Sequence, residues 1–365
     1  MSDRDASLAA WLRLSLIPGI GPENQRALLT AFGLPEAVFA SSRPALAGVI
    51  GERLAAALCD TDNRAKVEAA LQWRAVPGNA IVTLADPEYP AALLHTADPP
   101  SLLYVKGRVE LLARPSLAIV GSRNPTAQGL ANAEAFAKVL SQSGLAVVSG
   151  LALGIDAAAH RGGLAGEGGT IAFIGTGADR IYPARNAELA RQIAEQGVIV
   201  SEFPLGMPPV QHNFPRRNRL IAGIARGVLV VEAAQQSGSL ITARLAAELG
   251  REVFAIPGSI HSPLSKGCHQ LIKQGAKLVD DAADILAELA WGRPAASVAN
   301  EPVSAEGLPD SAVLVLQAMG FDPVDMDTLC ARSNLTPEVL FDILLALEFD
   351  GRVAKLPGGR FQRLS

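Results

Sequence analysis

The chain has 365 residues, of which 49% are hydrophobic, 19% charged and 5% aromatic, and its formal net charge is −4. That length calls for two or three domains, and the apolar share suits a globular chain with a large core. So few aromatics exclude a surface built of many stacked bases, and the negative charge excludes a protein that coats nucleic acid everywhere, though not one with a local basic groove.

The start, MSDRDASLAAWLRLS, is acidic before it is apolar, unlike a signal peptide, and no apolar run reaches membrane-spanning length, so we expect a cytoplasmic protein with no membrane contact. Cys59, Cys268 and Cys330 are far apart and show no CxxC spacing, which argues against a disulfide framework and against a zinc site.

Residues 1–75 are rich in Ala and Leu at helical spacing and read as a small all-helical domain of helix-hairpin-helix or SAM-like type. The turn Leu16 to Glu23, with Gly19 and Gly21, resembles a helix-hairpin-helix turn. Glu23 stands where a Lys would help an anion, so we read a plain helix connection rather than a phosphate site. The central domain is expected over residues 76–290. Its first part is Pro-rich, with apolar runs at Ile81–Leu84 and Leu102–Val105 that read as a lead-in strand and an edge strand.

From Leu117 apolar runs alternate with helical stretches: Leu117–Val120, Leu145–Val148, Thr170–Ile174, Val198–Ser201, Val228–Val231, Val253–Ile256 and Ala276–Val279. Unbroken apolar runs mark strands buried on both faces, and strand–helix alternation predicts right-handed βαβ units. The fold class is therefore α/β, an extended Rossmann-like parallel sheet with helices on both faces. Trp291 to Pro309 reads as a linker. Residues 310–365 read as three short helices and a hairpin, a winged-helix-like domain, with Thr336-Pro337-Glu338 starting the third helix. That helix carries Glu338, Asp342, Glu348 and Asp350 and no Lys or Arg, so the domain is expected to contact protein or regulate more than it reads DNA.

Chemistry is expected where parallel strands end. The first end carries Gly121, Ser122 and Arg123 ahead of a helix. The second carries Ser149 and Gly150 in a small-residue loop whose N–H groups suit a phosphate. The third leads to Tyr182-Pro183-Ala184-Arg185-Asn186, the fifth to Ser237-Gly238-Ser239, and the sixth to Ser265-Lys266. Asn213 to Arg219, NFPRRNR, is the densest basic segment, and Arg at a helix start calls for an anion. Arg217 and Arg219 lie in a crossover expected to pass near Arg123. Asp156 and His160 are spaced to hold each other, and Glu202 and Glu232, ending neighbouring strands, to orient the Arg cluster. GxGxxG and GxxxxGK[ST] are both absent, so no nucleotide cofactor is expected.

Taken together, Gly121-Ser122-Arg123, Ser149-Gly150-x-Ala152-x-Gly154-Ile155-Asp156, Tyr182-Pro183-x-x-Asn186, Ser201-Glu202, Phe214-Pro215-x-Arg217-Asn218-Arg219, Ser237-Gly238-Ser239-x-x-Thr242-Ala243 and Pro257-Gly258 resemble the DNA-processing protein A (DprA, or Smf) family. The resemblance implies a non-enzymatic, sequence-independent single-stranded DNA binder of natural transformation and recombination. Such a protein protects incoming DNA, loads the recombinase RecA on it and forms a homodimer through the central domain. Arg123, Arg217 and Arg219 take the family's basic positions, and Arg185 stands where a Lys is common. With Gly121, Ser122, Ser149, Gly150, Phe214 as a base-stacking ring, Asn218, Ser237, Gly238 and Lys266, they make up the expected DNA site.

Two rivals remain. The same sheet resembles nucleotide phosphoribohydrolases of the lysine-decarboxylase-like group, although Gln236 to Thr242 lacks their catalytic Glu. The other is a pure interaction scaffold.

Overall fold

The computed structural model describes residues 3–291, 309–356 and 358–364. The expected linker lies outside the described residues except for Trp291 and Pro309, and so does Pro357 of the hairpin turn.

Six helices come first: α1 (Asp3–Ser15), α2 (Pro22–Phe32), α3 (Pro35–Ala40), α4 (Arg43–Ile50), α5 (Glu52–Asp60) and α6 (Arg64–Arg74). Prolines in the first turns of α2, α3 and α4 start helices where their missing N–H costs no bond. Leu14, Ile17, Ile20, Leu28, Val38 and Leu46 form one core among them. A second core joins α1 to the sheet, with Leu8, Trp11 and Leu12 against Ile81, Leu102 and Tyr104.

The central strands are β1 (Asn79–Thr83), β2 (Leu102–Gly107), β3 (Ser116–Val120), β4 (Ala146–Ser149), β5 (Thr170–Phe173), β6 (Val198–Ser201), β7 (Gly227–Val230), β8 (Glu252–Ala255) and β9 (Lys277–Leu278). Among the described residues they form one sheet, ordered β1-β2-β6-β5-β4-β3-β7-β8-β9. Seven strands from β6 to β9 are parallel, while β1 and β2 add on antiparallel, so β2 is internal and β1 is the edge.

Helices α7 (Ala127–Gln142), α8 (Ile155–Leu164), α9 (Ala187–Gln196) and α13 (Ala282–Glu288) cover one face. Helices α10 (Asn213–Ile224), α11 (Ser239–Glu248) and α12 (Lys266–Lys273) cover the other. Along β3, Leu117 and Ile119 pack under α7, α8 and α13, and Ala118 and Val120 under α10, α11 and α12. Burial on both sides explains why this strand is apolar throughout rather than at alternate positions.

From β3 the chain builds outward to β6, then crosses back through α10 to β7 on the other side of β3. The order in which the chain lays down its parallel strands therefore reverses between β3 and β7. Ligand crevices form at such a reversal, outside the carboxyl ends of the strands.

The C-terminal part comprises α14 (Asp310–Met319), β10 (Val324–Asp325), α15 (Met326–Ser333), α16 (Pro337–Phe349), β11 (Val353–Leu356) and β12 (Arg360–Arg363). The hairpin β11–β12 takes a third strand, in the order β10-β12-β11, over a core that includes Val315, Leu329, Leu340, Leu344 and Phe361. Thr336 occupies the N-cap position of α16 but makes no side-chain cap bond, so Pro337 carries the start.

Candidate nucleic-acid interface

The turn after β3 is held by close approach rather than by an unusual backbone angle. A Cβ on Gly121 would lie 2.7 Å from Ile155 Cγ1 and 2.9 Å from the Glu232 carbonyl oxygen. Ser122 N–H donates to that carbonyl at 2.7 Å, and Ile155 N–H donates to the Ser122 carbonyl at 3.1 Å. The Glu232 carboxylate accepts from Thr126 N–H at 2.9 Å and from its hydroxyl at 2.5 Å, while Thr126 Oγ1 caps α7 at Gly129 N–H. A carboxylate suits the positive end of a helix. Thus the Ser122–Thr126 turn is anchored and Arg123 is left exposed at its tip.

The start of α10 meets this turn. Asn213 Nδ2 donates to the Gly175 carbonyl at 3.1 Å, and the Phe214 ring lies against Gly175. The Arg123 guanidinium carbon is 5.8 Å from the Phe214 ring centroid, within cation–π reach. The Tyr182 ring lies 5.8 Å from the same Phe214 ring, tilted by 41°. Tyr182 is exposed and Phe214 is half-buried, so two aromatic faces and a guanidinium reach solvent together. Arg185 follows in the same loop and is also exposed. Asn186 ties that loop down, its Nδ2 donating to the carbonyls of Leu151 at 2.9 Å and Ala152 at 3.1 Å.

Arg217 faces inward. It is 4% exposed and donates to the Phe173 carbonyl, with Asp156 as the nearby buried countercharge. Burial pushes its pKa down to about 10, with Asp156 opposing that shift. Burial likewise raises Asp156, opposed by Arg217 and by the loop N–H groups.

The loop after β4 uses its own donors. Gly150 and Ala152 N–H donate to Asp156 Oδ2 at 3.0 and 3.3 Å, and Leu151 N–H donates to His160 Nε2 at 3.2 Å. The Thr170 hydroxyl donates to the Val147 carbonyl at 2.8 Å, so His160 Nδ1–H donates to Thr170 Oγ1 at 2.7 Å. The ring is neutral, and burial lowers its pKa to about 3.

These hydrogen bonds correct several expectations. Asp156 and His160 do not hold each other; each holds the loop between them and β4. The N–H groups expected to cradle a phosphate are already bonded, and Ser149 is fully buried with its hydroxyl on the Ile119 carbonyl at 2.7 Å. Glu202 and Glu232 end strands separated by β5, β4 and β3, so they serve different places. Glu232 holds the Thr126 cap, and Glu202 pairs with Arg219 and lies 3.8 Å from Arg216. Arg219 also reaches Asp98, donating to its carbonyl at 2.7 Å, with Nε 3.1 Å from the carboxylate.

Of the remaining expected residues, Asn218 is half-buried on α10. Ser237 and Gly238 start α11, where the Ser237 and Ser239 hydroxyls are 2.7 Å apart. Lys266 is exposed and donates to the Ile260 carbonyl. Among the described residues, no hydrogen bond, ion pair or ring contact joins Ser237, Gly238 or Lys266 to the Arg123–Phe214–Tyr182 group. Tyr182 lies in the Tyr182-Pro183-x-x-Asn186 motif but is not among the site residues expected from the sequence. Its signal is an aromatic and an Arg three residues apart beyond a strand end.

Residues 80–290 match the family model of DNA recombination-mediator protein A, and residues 299–359 match the DprA winged helix domain. Protein Smf of Escherichia coli K12 is 42% identical over 81% of this chain and 80% of its own length. The X-ray structure of DNA processing protein A from Streptococcus pneumoniae aligns with a TM-score of 0.67 at 38% identity, covering 76% of this chain and 95% of that one. DNA processing protein A from Helicobacter pylori, solved for its single-stranded DNA binding mode, aligns with a TM-score of 0.53 at 32% identity, covering 57% of this chain and 95% of that one. With a Rossmann-like sheet, a winged helix and these matches in hand, the chain belongs to the DNA recombination-mediator protein A family of DNA-processing proteins.

Proposed function

We propose that this chain binds single-stranded DNA without regard to sequence, on the face formed by Arg123, Tyr182, Arg185 and Phe214. The observation that carries the reading is that Arg123 and Tyr182 each come within 5.8 Å of the Phe214 ring near the β3 strand end. Guanidinium groups there neutralise phosphates, and exposed rings stack on bases of any identity. The H. pylori relative supports the same ligand.

In this reading Arg217, Arg219, Ser149 and Gly150 position the site from beneath, since they are buried or ion-paired. Ser122 and Asn218 lie on the turn and helix that carry Arg123 and Phe214. Ser237, Gly238 and Lys266, which among the described residues make no hydrogen bond, ion pair or ring contact with that group, stay outside the reading. The family resemblance extends the role to guarding strands taken up in natural transformation and loading RecA on them. We further propose a homodimer through the central domain, where β9 is a sheet edge with Leu278 exposed. No cofactor enters the reading, and we propose that the protein is not an enzyme. His160, buried beneath the site, has both ring nitrogens engaged.

Fluorescence anisotropy with labelled oligo-dT and a mixed-sequence strand tests the proposal. Similar, salt-sensitive affinities for both are expected. No binding at low salt, or release of adenine from AMP, would favour the phosphoribohydrolase alternative or a plain scaffold.

A further inference from the structure

Helix α16 turns to solvent a face that its own small domain does not use. Leu340, Leu344 and Leu347 point into the core. On the opposite side Phe341, Leu345 and Phe349 are 51%, 42% and 85% exposed. At four-residue spacing they form one strip, within about 80° of arc for a helix of 3.6 residues per turn. Exposed Glu338, Asp342 and Glu348 interleave with it. Three large apolar side chains in a row exceed the ordinary scatter of single exposed ones and mark an interaction surface. The carboxylates exclude a nucleic-acid backbone as the occupant. The strip calls for a surface that is both apolar and basic.

This chain carries such a surface. Ile181 and Tyr182 are 46% and 47% exposed. Exposed Arg180 and Arg185 flank them, and Arg123 lies beyond Phe214. The connection, residues 292–308, can span roughly 55 Å when extended. A compact unit of the preceding length has a radius of gyration of only about 19 Å. Length therefore does not prevent an encounter within one chain.

We infer that α16 docks on the Ile181–Arg185 loop of its own chain and competes there with single-stranded DNA. Its rings would occupy the place of bases and its carboxylates the place of phosphates, so strand and helix exclude each other. The competition rests on the proposed DNA reading; the docking itself does not.

The test uses the full chain with the exposed Cys59 replaced by Ser. Ile181→Cys with Phe349→Cys should form an intrachain disulfide under mild oxidation at a rate independent of protein concentration. A Val76→Cys/Phe349→Cys control should not. Excess oligo-dT should suppress the cross-link, as should adding Glu338→Lys with Asp342→Lys. In a second measurement, Phe341→Ser with Phe349→Ser, both at exposed positions, should tighten oligo-dT binding about five-fold. No cross-link above the control, or one that grows with protein concentration, would overturn docking within the chain. A cross-link indifferent to oligo-dT, or affinity within two-fold of the parent, would overturn the competition. Failure of the parent to bind oligo-dT at all would remove the DNA reading, and the cross-link would still judge the docking.

Discussion

Gly150 and Arg217 occupy a space that only a glycine leaves open: a Cβ at position 150 would sit 2.1 Å from Arg217 Nη1. The small-residue loop after β4 is thus the wall of a buried arginine, and that arginine and its loop support the surface on which Arg123 and Phe214 meet. Gly150→Ala should destabilise the fold by about 2 kcal/mol through overpacking. Arg217→Ala, which strands the Asp156 carboxylate, should cost about 3–5 kcal/mol. Urea denaturation followed by circular dichroism reads both, and wild-type midpoints would refute this supporting role.

Exposed Arg123 and Arg185 should behave in the opposite way. The double variant Arg123→Ala/Arg185→Ala should keep its stability within about 0.5 kcal/mol, as surface changes do. Its single-strand affinity should fall, and the slope of log K against log salt should flatten by about 0.7 for each phosphate that is no longer neutralised. An anisotropy titration across salt concentrations measures this. An unchanged slope would mean that neither guanidinium meets a phosphate.

Tyr182 separates stacking from charge. Tyr182→Ala removes one exposed ring beside Phe214 and leaves every Arg in place. Loss of a stacked base should cost about 1–3 kcal/mol of binding. The salt slope should stay the same, so a change in slope rather than in affinity would argue against stacking.

The pH dependence follows from His160. Burial lowers its pKa to about 3 from an ordinary 6.5, so between these values the unfolded chain binds the proton and the folded chain does not. Its contribution is complete above pH 6.5 and is lost as pH falls towards 3. The loss is on the order of a few kcal/mol, at about 1.4 kcal/mol per unit. His160→Gln removes the titrating group, so its stability should fall less steeply than the wild type's between pH 6.5 and 4. Parallel curves from denaturant melts at each pH would show that His160 is not the source.

Much of the sheet was legible along the chain. Leu117-Ala118-Ile119-Val120 lacks polar alternation because both of its faces are covered, and a run of such strands separated by helices leaves a parallel sheet as the packing that buries them all. Part of the interior of α10 was legible too. Its buried stripe of Asn213, Arg217, Leu220 and Ile224 recurs at helical spacing, yet the basic run around it leads one to expect Arg217 in the DNA site. What no spacing reveals is the countercharge that lets Arg217 face inward, because Asp156 is brought to it by a crossover rather than by sequence proximity. Strand order was hidden for the same reason: Glu202 and Glu232 end strands that are consecutive along the chain, yet three strands lie between β6 and β7 in the sheet. Which segments must be buried can be read along the chain, since hydrophobicity and period are local. Tertiary structure decided which Arg side chains reach solvent, because desolvation and pairing depend on what distant segments place beside each charge.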